Sequence, residues 1–415
     1  MKIYAVGGAI RDQLLGRTIQ DIDYVVVGAS PQKMIDLNFK PVGHDFPVFL
    51  HPQTKAEYAL ARTERKIAAG YHGFQFFCSP SVTLEDDLAR RDLTINAMAR
   101  AVSDEGKIEG KIIDPYGGQH DLRQGILRHV SPAFREDPVR ILRIARFAAR
   151  LPHFKIHFKT LELMQTMVQA GEVLALVAER VWQELARALL ETRPSRFFET
   201  LRSVGALMQL APEINALWNV PQSHIHHPEI DTGIHAMMVI DYAAKHFPVL
   251  PICFAALMHD LGKGTTPCKQ WPHHPNHEAR GLESVKKVCE RWRVPHDCRE
   301  MALVMTAEHG HIHECLNYSA EQLINLLERC DAFRRTNRFQ QILSACEADC
   351  RGRLNYEKQA YPQTKHLLNA LAAANTIDTR AIAIRYQNQT KNIRHAIQQA
   401  RISAVAHILT SLTKF

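Results

Sequence analysis

Two aspartates separated by one residue, Asp21 and Asp23, follow the run Gly7-Gly8-Ala9-Ile10-Arg11-Asp12 near the start of the chain. Side chains alternate between the two faces of a strand, so Asp21 and Asp23 share one face while Ile22 and Tyr24 take the other. Adjacent carboxylates repel unless a cation sits between them. Mg²⁺ suits the pair, being a hard ion that prefers oxygen ligands and also bridges nucleotide phosphates. A strand, a Gly-Gly turn and a helix start leave backbone amides open to a triphosphate, because glycine has no Cβ in the way. Arg11 can add a charge-assisted fork to the same phosphates. Together these residue types can carry out displacement at a nucleoside triphosphate, with metal ions activating an attacking hydroxyl and stabilising the departing pyrophosphate.

Two further polar segments follow. Arg90-Arg91-Asp92-Leu93-Thr94-Ile95-Asn96-Ala97 is dense in hydrogen-bonding groups, and if helical it places Arg90, Thr94 and Ala97 on one side. In Glu136-Asp137-Pro138-Val139-Arg140, Pro138 fits the first position of a helix and Asp137 its N-cap. Arg140, Arg143 and Arg146 then recur every three residues as a basic stripe, a pattern that a solvated helix face also produces. A different chemistry is written into His259-Asp260-Leu261-Gly262-Lys263, with His235 upstream and Asp331 downstream. Neutral imidazoles with carboxylates suit a divalent transition metal. Other histidines crowd this part of the chain (His273, His274, His277, His309, His311 and His313) and are expected to bind phosphate or lie on the surface.

The elements that must position these residues change character along the chain. Short apolar or alternating runs at Ile3–Val6, Ile22–Val27, Val48–Leu50, Tyr58–Ala61 and Ile112–Asp114 read as strands, with a helix over Ala9–Leu15 stopped by Gly16. From Pro138 onward the texture is amphipathic helix, notably Val173–Leu190 and Arg196–Leu210. The proline- and histidine-containing stretch Asn219–Asp231 reads as a linker before a second helical block. The predicted fold class is α+β, a head with a mixed sheet followed by a mostly helical body. Its expected divisions are a head over 1–125, a helical neck over 126–225, a metal-binding block over 226–335 and a helical tail over 336–415.

The bulk properties fit this division. A chain of 415 residues exceeds one ordinary core, and 46% apolar with 23% charged residues is the composition of a folded globular protein. No apolar run is long enough to cross a membrane, and the N-terminus has no secretory pattern, so a cytoplasmic protein without a membrane partner is expected. Nine scattered cysteines without a Cys-x-x-Cys pair argue against a disulfide framework and mark most of them as small core residues. The net charge of +8 favours an anionic partner, an argument with force only beside a phosphate-handling site.

The Gly-Gly and Asp-x-Asp motifs resemble those of the DNA polymerase β-like nucleotidyltransferases, which usually carry a third carboxylate on a later strand; Glu57 is the candidate. With Arg-Arg-Asp-x-Thr-Ile-Asn-Ala and Glu-Asp-Pro-x-Arg in the same order, the set resembles the class II CCA-adding enzymes and bacterial poly(A) polymerases. The resemblance implies that Gly8 and Arg11 contact a triphosphate and Asp21 and Asp23 hold Mg²⁺. It also implies that Arg91 and Asp92 contact the nucleotide, Asp137 and Arg140 imitate a template base, and Arg143 positions the nucleotide. The second block resembles the HD-type metal phosphohydrolases, implying His235, His259, Asp260 and Asp331 as ligands, with Asp349 as an alternative to the last. The whole chain resembles the long, multifunctional bacterial CCA enzymes. That likeness implies tRNA, ATP and CTP as partners, Mg²⁺ for polymerisation, Ni²⁺ as a candidate for the phosphatase, and a monomer or homodimer. It further implies 2′,3′-cyclic phosphodiesterase, 2′-nucleotidase and phosphatase activities. The alternatives are a bacterial poly(A) polymerase, or an HD-type phosphohydrolase with an RNA-binding head.

Overall fold

The computed structural model describes residues 1–19, 21–42, 48–66, 74–224, 227–386 and 390–412, so two residues of the expected linker lie outside it. The head is built on a seven-stranded sheet. In chain order its strands are β1 (Lys2–Val6), β2 (Asp23–Val27), β3 (Lys40–Val42), β4 (Val48–Leu50) and β5 (Glu57–Leu60). The hairpin β6 (Arg62–Lys66) and β7 (Phe74–Cys78) stands apart from it, and β8 (Ala99–Val102) with β9 (Ile108–Ile113) completes it. The spatial order is β3-β4-β5-β2-β1-β8-β9, antiparallel throughout except for the parallel pair β2 and β5.

Strand periodicity sorts the sheet's two faces. Val25 packs with Val6, Leu84 and Leu88 on one side, and its neighbour Val26 packs with Met34, Phe39 and Leu60 on the other. The five strands expected from sequence are present within a few residues, whereas β3, β6, β7 and β8 are additional. β8 reads Ala-Arg-Ala-Val, too short and too weakly alternating to declare itself before its partners β1 and β9 flank it.

Three helical expectations are corrected. The Arg90–Ala97 segment is not one helix: Arg90 closes the helix Leu84–Ala89, and only Thr94–Asn96 turns again, as a 3₁₀ turn. Arg196–Leu210 is two helices, Ser195–Ser203 and Ala206–Leu210, broken at Gly205, whose φ of 81° a helix cannot contain. Val173–Leu190 likewise divides into a short 3₁₀ turn (Glu172–Ala175) and the helix Ala178–Ala188.

The chain groups into two compact units, one of Met1–Leu185 with Arg196–Leu210, the other of Ala186–Ser195 with Ala211–Phe415. In the second, the helices Thr232–His246, Leu250–Met258, His296–Glu314 and Thr336–Arg351 pack into one bundle. The last of these lies beyond the expected end of the metal-binding block, yet it is integral to the bundle. All nine cysteines are free and six are buried, as apolar filler in this unit. Among the described residues no helix is long and apolar enough to cross a membrane.

Within the head, Gly118 lies so close to the Thr94–Asn96 turn that an added Cβ would sit 2.2 Å from the Thr94 carbonyl oxygen and 2.9 Å from Met98. Both neighbours are buried, so neither can retreat. Gly118→Ala is therefore expected to cost about 1–3 kcal/mol through forced backbone displacement. Thermal unfolding followed by calorimetry should show a lowered head transition, and an unchanged melting profile would refute the close contact.

Candidate active sites

The head site starts from register. Val6, the last residue of β1, pairs with Asp23, the first of β2, so Asp23 lies beside the Gly7-Gly8 turn that continues β1. Gly7 has φ of 70° and its N–H donates to the Met98 carbonyl (3.0 Å), which fixes the turn against the Thr94–Asn96 segment. Asp21 and Asp23 are both exposed. Asp21 precedes β2 rather than lying in it. Tyr24 pairs with Tyr58 across the parallel strands and their rings stack at 4.4 Å. One step back along each strand, Asp23 and Glu57 therefore belong to the opposite face, the face shared with Val6, Val25 and the helix ending at Arg90. Strand parity thus places Glu57 on the same side as Asp23.

The arginines form a bonded chain rather than a free fringe. Arg11 is buried, with Nε and Nη2 donating to Asp12 (2.9 and 2.8 Å) and Nη1 donating to Asn96 Oδ1 (2.6 Å). Asp12 also accepts from Arg150 (3.0 Å). Asn96 then donates through Nδ2 to Asp92 Oδ1 (3.0 Å), and Asp92 Oδ2 accepts from Arg143 Nε (2.7 Å). Burial alone would raise the Asp92 carboxyl; Arg143 and the Asn96 hydrogen bond outweigh it and hold the group well below the usual carboxylate range. Arg91 is anchored by Asp87 (3.3 Å), and its guanidinium lies 2.8 Å from where a Cβ on Gly7 would stand. Gly8 likewise has the Arg11 guanidinium 3.5 Å from its Cβ position. Two guanidinium groups thus back the Gly-Gly turn, and a side chain at Gly7 would displace that of Arg91.

Asp137 is extended and accepts from the N–H of Val139 (3.1 Å) at the start of the helix Val139–Arg150, where Pro138 rather than Asp137 takes the N-cap position. The expected basic stripe is not a solvated face. Arg140 is buried and donates to the Ala133 carbonyl (2.6 Å), and Arg146 is buried against Glu184 (2.6 Å). Arg180, which sequence reasoning missed, grips both oxygens of Asp137 (3.1 and 2.7 Å). Arg180 and Glu184 stand four apart on Ala178–Ala188, and that spacing was the one available sign that both face Val139–Arg150.

The second site gathers His235, His259, Asp260 and Asp349, all almost fully buried. His235 Nε2 lies 3.0 Å from Asp349 Oδ1, and His259 Nε2 lies 3.2 Å from Asp260 Oδ2 and 3.6 Å from Asp349 Oδ1. His259 donates through Nδ1 to the Ala256 carbonyl (2.7 Å), so in the neutral ring Nε2 is a lone pair, and it makes no hydrogen bond. His235 Nδ1 faces Glu229 at 2.9 Å, a close charge contact rather than an aligned hydrogen bond. Burial opposes a charge on His259, but the fields of Asp260 and Asp349 overcome it and raise the imidazole to about 9. So negative a cavity, lined by imidazole lone pairs, is the donor set of a divalent transition metal. Asp331 is not part of it. That residue adopts φ of 52° and pairs with Arg335 and Arg338 (3.5 Å each), while Asp349 supplies the carboxylate. A cavity of about 410 Å³ opens over the cluster, lined by Lys263, His274, His309 and Arg353 among others.

Comparison with known proteins joins the two sites in one family. The family described as Poly A polymerase head domain matches residues 3–128, a probable RNA- and SrmB-binding site of polymerase A matches 153–217, and the HD domain matches 232–332. The Multifunctional CCA protein of Burkholderia cenocepacia J2315 is 60% identical over 409 residues, covering 99% of each chain. The chain belongs to the family of multifunctional CCA proteins. The corresponding protein of Ralstonia nicotianae is 60% identical over 98% of this chain and 95% of its own. The chain is thus a CCA-adding tRNA nucleotidyltransferase with an HD-type phosphohydrolase domain, a reading favoured over a poly(A) polymerase by the full-length match. In fold it is similar to the Thermotoga maritima CCA-adding enzyme complexed with tRNA, with a TM-score of 0.62 at 20% identity, covering 99% of this chain and 91% of that one. A CCA-adding enzyme solved with ATP superposes with a TM-score of 0.61 at 20% identity, over 97% and 86% of the two chains.

Asn96 is the joint between Arg11 and Asp92, and Asn96→Ala leaves a donor of buried Arg11 unmet and removes one of the two hydrogen bonds to Asp92 Oδ1. A loss of about 1–3 kcal/mol is expected. Urea titration of the two proteins measures it directly, and equal midpoints would show that the network closes without Asn96.

Proposed function

We propose that the two sites act on the same end of one tRNA, the head adding CTP and ATP and the HD-type domain removing phosphates that block the 3′ terminus. In the head, Asp21 and Asp23 hold Mg²⁺, with Glu57 the third carboxylate, on the strand face of Asp23. Gly8 and Arg11 receive the triphosphate, Arg91 and Asp92 the nucleotide and its ribose, and Arg143 keeps Asp92 ionised. The observation that carries this reading is the pairing of Val6 with Asp23, which brings a metal-binding carboxylate beside an arginine-backed glycine turn. Mg²⁺ supplies charge neutralisation and activation of the attacking hydroxyl when bound. The chain's own part is to align the triphosphate along that turn.

Asp137 and Arg140 read the base edge. Cytosine and adenine each offer an exocyclic amine beside a ring acceptor, which a carboxylate and a guanidinium match; guanine and uracil present the converse. Arg180 leaves Asp137 a spare lone pair on Oδ2 while fixing the plane of its carboxylate. The protein would therefore need no nucleic-acid template. In the HD-type domain, His235, His259, Asp260 and Asp349 hold a metal ion, Ni²⁺ among the candidates. Lys263 and Arg353 on the cavity wall receive an anionic phosphate. Substrates of that site are 2′,3′-cyclic phosphates, 2′-nucleotides and phosphate monoesters.

Two experiments check this division. His259→Ala and Asp260→Ala should abolish hydrolysis of 2′,3′-cyclic AMP while CCA addition stays within a few-fold of wild type. Asp23→Ala should do the reverse. Loss of nucleotide addition in a folded His259→Ala protein would overturn the two-site reading. For base selection, Asp137→Ala, Arg140→Ala and Arg180→Ala should each relax discrimination against UTP and GTP, by about 1–3 kcal/mol for a lost hydrogen-bonding pair. Single-nucleotide incorporation assays measure this, and an equal fall in rate for all four nucleotides would assign the trio to helix support alone.

A further inference from the structure

One carboxylate holds both arginines of the Arg90-Arg91-Asp92 segment. Asp87 is wholly buried on the helix Leu84–Ala89. It stands three and four residues before Arg90 and Arg91, the spacing at which helical side chains meet. Its Oδ1 accepts from Arg90 Nε and Nη2 (3.1 and 2.9 Å) and from the N–H of Arg62, the first residue of β6 (3.4 Å). Its Oδ2 accepts from Arg91 Nη2 (3.3 Å). Burial opposes a charge at Asp87, but Arg90 and Arg91 outweigh it and hold the carboxyl below its ordinary range.

The two arginines are held unequally. Arg90 is gripped through two nitrogens, whereas Arg91 is tethered at one corner by a single long contact. Arg91 Nη1 lies 2.8 Å from where a Cβ on Gly7 would stand, and Arg91 Nε is buried without a hydrogen bond. A guanidinium carries five N–H donors, and a buried donor left unmet is costly. Arg91 therefore lies against the glycine turn with donors still to be satisfied by an anion. Two guanidinium charges against one carboxylate also leave a net positive charge beside that turn. A bidentate pairing of Asp87 with Arg91 would compete with phosphate for the same donors. With no tether at all, nucleotide binding would have to order a long, rotamer-rich side chain, at a cost in affinity.

We propose that Asp87 is a positioning residue for nucleotide binding, its Oδ2 steering the Arg91 guanidinium onto the Gly7-Gly8 turn. Arg90 has a separate part: it occupies Oδ1 and so restricts Arg91 to the remaining oxygen. The proposal rests on reading Arg91 as a nucleotide contact.

Steady-state kinetics of nucleotide addition test it. In Asp87→Asn the KM for CTP and for ATP should each rise about tenfold, the weight of one charge-assisted hydrogen bond. The kcat should stay within a few-fold and the KM for tRNA should not move, because the interaction lost is one of ground-state binding. Arg91→Ala should show the same rise, and adding Asp87→Asn to it should raise KM no further, since the tether then holds nothing. Circular dichroism melting identifies the folded variants. A second measurement needs no change at Asp87: guanidinium chloride at low millimolar concentration should lower the raised KM of Arg91→Ala, and ammonium chloride should not. A wild-type KM in folded Asp87→Asn, a further rise in the double variant, or equal responses to guanidinium and ammonium would overturn the role of Asp87 while the Arg91 reading stands. A wild-type KM in Arg91→Ala would overturn both.

Discussion

Asp92 and Asp260 are charged, almost wholly buried and far from each other in the chain, and each organises the unit around it. A carboxylate removed from water loses far more solvation than any single contact returns, so it is tolerated only where each lone pair meets a donor or a cation. Around Asp92 the demand is met by protein alone, through Asn96, Arg143 and the N–H of Leu93. Around Asp260 it is met in part by the Lys263 ammonium at 2.8 Å, and one oxygen is left facing imidazole lone pairs. That difference separates a carboxylate satisfied within the protein from one whose surroundings still favour a cation.

The head gains its rigidity from this requirement. Pairing Asp92 with Arg143 ties the Arg-Arg-Asp segment to the helix Val139–Arg150, and Asn96 passes the connection to Arg11 under the glycine turn. Three sequence motifs thereby become one hydrogen-bonded object. Glu184 bound to Arg146 and Arg180 bound to Asp137 add a second attachment, to the helix Ala178–Ala188. A nucleotide-reading surface made of protein side chains must hold its donor and acceptor pattern still, because no template corrects it. Bidentate guanidinium–carboxylate contacts are a geometry well suited to that task.

The second unit solves the same problem with helix ends. His259 and Asp260 follow the helix Leu250–Met258, His277 opens its helix, and His309 and Asp349 lie within long ones. Backbone carbonyls near these ends accept the Nδ1 protons of His259, His277 and His309, which turns the opposite ring nitrogens to the centre. His313 plays a supporting part. It bonds Asp349 Oδ2 through Nε2 (2.7 Å) and Tyr361 through Nδ1 (3.0 Å), so it aligns the carboxylate.

Much of this was legible in the residues themselves. The strand around Asp23, the glycine turn, the helix start at Asp137-Pro138 and the His259-Asp260 pair are local patterns, and local patterns declare themselves through alternation, backbone freedom and capping chemistry. The likeness to CCA-adding enzymes rests on those same short motifs in order. Tertiary structure alone decided the rest, because it concerned distances between elements remote in sequence. Asp349 rather than Asp331 faces His235 and His259 because the helix Thr336–Arg351 joins the bundle, while Asp331 sits in a left-handed turn among arginines. Arg140 and Arg146 repeat as a solvated stripe would, yet packing buries them against a carbonyl and a carboxylate. His277 and His309 read as two histidines among many, and only packing sets both rings against Asp260. Spacing along a chain carries the geometry of one helix or strand; which elements meet, and at what separation, is set by how their apolar faces pack.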